Sequence, residues 1–147
     1  MTTNRRAKVL NELDGLSHHE QTNKIKNHVL NKDYSIRQFE TITDAFKNDA
    51  EVLKVIINCL QTLEKSSRFI VENQKEAFEK ACEVANKTID NPRSTEKERL
   101  NAIKMIDRCY ALLITSNVAI IFAIVAVIII ILKTVFGVTL QSNKQSS

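Results

Sequence analysis

The run "VAIIFAIVAVIIIIL", from Val118 to Leu132, is fifteen consecutive apolar residues with no polar position on any helical face. A helix on the surface of a soluble bundle keeps a polar stripe, whereas one that is apolar all round asks to be buried all round. Extended back through Leu112, across only Thr115, Ser116 and Asn117, the segment reaches twenty-one residues. That is about 31 Å of helix, the thickness of a bilayer's hydrocarbon core. Isoleucine and valine favour strands in water, but an isolated strand in lipid leaves its backbone groups unpaired, so the segment is expected to be helical. Nothing else in the chain is apolar enough to wrap a helix completely. The expectation is a single transmembrane helix over residues 112–132.

The N-terminal stretch "MTTNRRAKVLNELDGLSHHE" has no apolar segment of signal-peptide length, and fifteen residues follow Leu132. This is the layout of a tail-anchored, single-pass protein with a short polar tail over 133–147. Orientation follows from lysine and arginine near the span. Arg93, Lys97, Arg99, Lys104 and Arg108 precede it, and only Lys133 and Lys144 follow. The asymmetry predicts an inner or plasma membrane location with a cytoplasmic N-terminus, Lys133 snorkelling to the far interface. Cys59, Cys82 and Cys109 are odd in number and widely spaced, as expected of buried free thiols in a reducing compartment. Asn86-Lys87-Thr88 matches a glycosylation triplet, which a cytoplasmic position leaves unmodified. The Lys-, Asn-, Ile- and Glu-rich vocabulary has the flavour of a bacterial or phage chain.

Preceding the span, the pattern is all-α. One proline, Pro92, and two glycines, Gly15 and Gly137, fall where helices should stop. Short amphipathic helices are expected over 1–48: one over about 4–14, one opened by the capping box Ser17–Glu20, and one opened by Ser35 and Gln38. In the last, Ile36, Phe39, Ile42 and Phe46 share a face. From Asp49, a suitable N-cap, no breaker intervenes before Pro92. Leu53, Ile56, Leu60, Leu63, Ser67, Ile70, Gln74, Ala77, Ala81, Val84 and Thr88 follow in steps of three and four. This heptad seam predicts one coiled-coil-like helix over 49–91, about 60 Å long, strongly apolar in its first half and small or polar in its second. Pro92 ends it, and Thr95 with Glu98 gives a further capping box. A juxtamembrane helix over 92–111 then runs through Leu100, Ile103, Ile106 and Tyr110 directly into the span, with no glycine or proline between. The fold class is therefore a cytoplasmic helical bundle or hairpin carrying a C-terminal transmembrane helix.

Residue chemistry argues against catalysis. His18-His19-Glu20 begins a zinc-protease helix, but position 23, where the second ligand must stand, is Asn. His28 is at the wrong angle for a shared face with His19. Two isolated glycines cannot build a phosphate loop, and no nucleophile motif is evident. No metal, cofactor or small-molecule substrate is expected. The net charge of +4 divides as +2 before the span and +2 after it, and both signs are interspersed along the soluble part, without the one-sign patch that nucleic acid requires. The more specific pattern lies in the span, where Ser116, Ala119, Ala123 and Ala126 form a small-residue stripe flanked by Asn117. Such stripes let membrane helices approach closely. The chain is expected to be an anchored interaction, scaffold or sensor module that self-associates or holds a protein partner. The alternative is a membrane-active effector of the phage-lysis or host-defence type, acting through oligomerised spans.

Overall fold

The computed structural model describes residues 8–67 and 71–140. Among them the chain is all-helical, with seven helices and no strand. These are α1 (8–11), α2 (His18–Leu30), α3 (Ile36–Ala45), α4 (Ala50–Ser66), α5 (Glu72–Asp90), α6 (Glu96–Ile114) and α7 (Val118–Phe136).

Helix starts follow local chemistry. Ser17 Oγ accepts from Glu20 N–H at 3.2 Å, and Glu20 Oε2 accepts from Ser17 N–H at 3.1 Å, closing the expected box on α2. Ser35 and Gln38 do the same for α3. Asp49 caps α4 through Val52 N–H, and the Thr95 hydroxyl caps α6 through Glu98 N–H. Each cap satisfies backbone donors that a helix terminus leaves orphaned. Gly15, at φ 80°, closes the turn after α1 in the left-handed region that glycine adopts without strain. Residues 4–7 of the expected first helix lie outside those described.

The expected single helix over 49–91 is two helices. α4 ends at Ser66, Ser67 turns extended, and α5 starts after Val71. Ile70 of the heptad seam lies outside the described residues. Ser66 Oγ donates to Leu63 C=O at 3.0 Å, and Gln74 Oε1 accepts from Val71 N–H at 3.4 Å, so side chains take over backbone pairing on both flanks of the break. The larger cause is burial. An unbroken 60 Å helix would leave much of its seam in water, whereas two helices that pack on each other and on α6, with α2 also against α4, cover Leu53, Ile56, Leu60 and Leu63 of α4 and Ala77, Ala81 and Val84 of α5. All of these are buried. Lys54 Nζ lies 2.9 Å from Asp90 Oδ1, joining the start of α4 to the end of α5. The apolar seam positions face the core, but from two helices and not from one continuous one.

α6 is the central element, packing against α3, α4, α5 and α7. Its inner residues run from Ala102 to Leu113 with few interruptions. Tyr110 is fully buried, stacks on Phe39 with ring centroids 4.0 Å apart, and donates its hydroxyl to Tyr34 C=O. Ile42 is also fully buried, while Ile36 stays exposed and Phe46 is half-buried.

Candidate functional site

Among the described residues one helix, α7, is long and apolar enough to cross a membrane. Its limits differ from the expected 112–132. Leu112 and Leu113 belong to α6 and are buried in the bundle, and α6 stops at Ile114. Residues 115–117 form a break, after which Asn117 Oδ1 accepts from Ala119 N–H at 3.1 Å and Ile120 N–H at 3.3 Å. The expected rigid continuation of the juxtamembrane helix into the span is thus overturned. Thr115, Ser116 and Asn117 all have side chains that compete for backbone hydrogen bonds, and three together break a helix without glycine or proline. At the other end, Gly137 takes φ 64° and Val138 N–H donates to Leu132 C=O at 2.9 Å. α7 is therefore a separately capped unit.

It lies along α5 and α6. Ile121, Ile124, Val125, Ile128 and Leu132, at helical spacing, are buried against them. At one end a shallow cleft brings Val84 and Lys87 of α5 beside Phe136, Val138 and Thr139. On the opposite face Ile120, Phe122, Val127 and Ile130 are exposed, Phe122 to 61%, and Val118 and Val135 are exposed at the two ends of the helix. Full burial of one large aliphatic side chain is worth about 1.5–3 kcal/mol, so this outer face withholds a stabilisation comparable to what the inner face supplies. A contiguous apolar face of this kind marks a surface built to be covered.

The small-residue stripe divides. Ala119, Ala123 and Ala126 lie on the exposed side of α7. Ser116 is outside the helix, and Asn117 spends its side-chain oxygen on the cap instead of standing beside the stripe.

The polar groups singled out in the sequence are placed separately. His18 Nε2 is 2.8 Å from Asp49 Oδ2, pinning the start of α2 to the start of α4. The hydrogen bond to Asp49, and then its charge, raise the His18 pKa. Asn23 Nδ2 contacts His19 Nε2 at 3.1 Å, Glu20 closes its cap, and His28 Nδ1 contacts Asp33 Oδ2 at 3.1 Å. Among the described residues no group of three or more His, Cys, Asp or Glu could hold a metal ion.

Two features escaped the sequence reading. Asp107 is pushed up to about 7 by burial, although it accepts a hydrogen bond from Thr43 Oγ1 that favours its charged form. Its place four residues after Ile103 and three before Tyr110 was the available signal. Cys82 of α5 and Cys109 of α6 are both buried, and the neighbouring Cys82 together with burial raises the Cys109 thiol well above its ordinary value. Such thiols are poor nucleophiles.

Comparison of the chain with protein-family models, curated proteins and solved structures gave no match.

Proposed function

We propose that this protein is a membrane-anchored helical module in which α7 is the single span and the preceding bundle is a cytoplasmic interaction, scaffold or sensor unit. The outer face of α7 carries the reading: six large apolar side chains that the bundle leaves uncovered. Nineteen residues make a helix of about 28 Å, close to the hydrocarbon thickness. The excess of lysine and arginine before the span supports a cytoplasmic bundle in an inner or plasma membrane. Ala119, Ala123 and Ala126 supply the smooth stripe along which spans of several copies would pack. In that assembly the protein works by self-association or by holding a protein partner, with no catalytic step, cofactor or nucleic acid.

The test is flotation of the full chain with vesicles, followed by washing at alkaline pH and by thiol labelling of single cysteines introduced at Lys97 and Lys144. Retention after the wash, with labelling at position 97 from the cytoplasmic side and at 144 from the other, is the expected result. Removal by the wash would reduce α7 to a half-buried helix of a soluble bundle.

The exposed position of the alanines favours a second reading, a membrane-active effector whose associated spans depolarise the bilayer. Expression of the full chain beside Ala119→Leu/Ala123→Leu, followed with a potential-sensitive dye, separates the two. Depolarisation by the intact chain and not by the double variant selects the effector. An unchanged potential with the chain in the membrane fraction selects the anchored module.

A further inference from the structure

We infer that α7 has two alternative seats, the α5–α6 face it occupies here and the bilayer, and that the docked arrangement is the form in which the chain stays in water before insertion. The inference rests on the reading of α7 as a membrane helix and adds the route by which it gets there.

Three observations carry it. First, the contact between α7 and the bundle is apolar only: among the described residues no hydrogen bond or ion pair joins α7 to α5 or α6. Elsewhere the packing is pinned by polar contacts, as between Tyr110 and Tyr34, Thr43 and Asp107, Lys54 and Asp90, or His18 and Asp49. An apolar contact can be exchanged for lipid without leaving a polar group unpaired, which a pinned one cannot. Second, the break at 115–117 and the separate cap by Asn117 let α7 swing away without unwinding α6. Leu112 and Leu113 stay in the core as it does so. Third, docking hides the stripe formed by Ile121, Ile124, Val125, Ile128 and Leu132, leaving a smaller apolar surface in water than the free helix would. A bilayer covers both faces. Lipid therefore competes with the groove for the same helix, its cover of both faces set against the α5–α6 face that α7 uncovers on leaving, while the groove limits the exposed surface until lipid is met.

The experiment uses the full chain with Lys87→Cys and Thr139→Cys, exposed positions on opposite sides of the cleft between α5 and the end of α7. The chain is made by lipid-free cell-free synthesis and treated with a short bis-maleimide. Formation of an intramolecular link in water is the expected result, seen as a faster-migrating monomer absent from either single variant. Vesicles of phosphatidylethanolamine and phosphatidylglycerol, added first, should abolish the link and carry the chain to the floating fraction. Chain linked beforehand should remain below, because residue 139 can no longer move a bilayer's thickness away from α5. Flotation without any link in water would overturn the docked seat and leave the membrane reading standing. A link between two chains in place of one within a chain would also overturn it. A link unaffected by vesicles, with no flotation, would overturn the membrane reading and the inference with it.

Discussion

At the scale of single residues, the bundle depends on a few buried groups whose chemistry is unlike their neighbours'. Asp107 is the clearest. Its carboxyl has an ordinary value of 3.8 in the unfolded chain and about 7 in the fold, raised chiefly by burial and also by the nearby Glu40 and Asp44, with Thr43 and Arg108 acting the other way. A carboxyl whose pKa rises on folding binds protons more readily in the native state, so stability increases as pH falls from about 7 to about 4 and is lost as it rises again. His18, raised by Asp49, acts in the same direction at the upper end of that window, its contribution disappearing as pH passes through its raised pKa. Asp107→Asn keeps a partner for Thr43 and removes the ionisation. Denaturation of the full chain should show it more stable than the parent at pH 8 by roughly 1–3 kcal/mol, with a flatter profile between pH 4 and 7. A parent profile that already lacks that slope would show that Asp107 is not held in this surrounding. Tyr110 is the second such group. Tyr110→Phe preserves the stack on Phe39 and leaves the carbonyl of buried Tyr34 without its donor. The expected loss is about 1–3 kcal/mol in the same denaturation measurement.

At the scale of elements, the notable feature is how the two long stretches without glycine or proline divide. Residues 50–90 fold into α4 and α5, and 96–136 into α6 and α7. The first break begins at Ser66 and Ser67 and the second lies at Thr115, Ser116 and Asn117, and each lets a second helix return along the first. At 115–117 the cap is a single side chain, so it can be removed cleanly. Asn117→Ala should cost about 1 kcal/mol of local helix stability. Its specific signature is faster amide exchange at Ala119 and Ile120, the two N–H groups that Asn117 receives, with exchange in the middle of α6 unchanged. Equal protection in both proteins would mean that α6 and α7 are continuous and the cap is unnecessary.

For the whole molecule, the arrangement is a central α6 surrounded by α3, α4, α5 and α7, with α2 backing α4. Four of these neighbours cover α6 on different sides; α7 alone among them turns a large apolar face outward. Stopping the chain at Ile114 removes α7 and uncovers the α5–α6 face. The shortened protein should bind a hydrophobic dye such as ANS severalfold more than the lipid-free full chain if the groove is the larger apolar surface, and severalfold less if the outer face of α7 is. The first result would mean that α7 shields the bundle; the second would mean that it is chiefly a liability in water, awaiting lipid.

Much of this was legible in the residues. Caps act over three or four positions, so Ser17 with Glu20, Ser35 with Gln38, Asp49 and Thr95 fixed where helices begin without reference to anything distant. Period marked an inward face, and of the seam from Leu53 to Val84 the apolar positions described are buried while Ser67 is half-buried. Composition alone singled out the apolar C-terminal helix. Continuity was a different matter. Whether residues 49–91 make one helix or two depends on how much apolar surface each arrangement removes from water, and that is a property of the folded whole. The same holds for α7. Its sequence determined that it is apolar on every side, while the groove of α5 and α6 decided which side is covered in the bundle, because side-chain shape and packing across helices are written in no single segment.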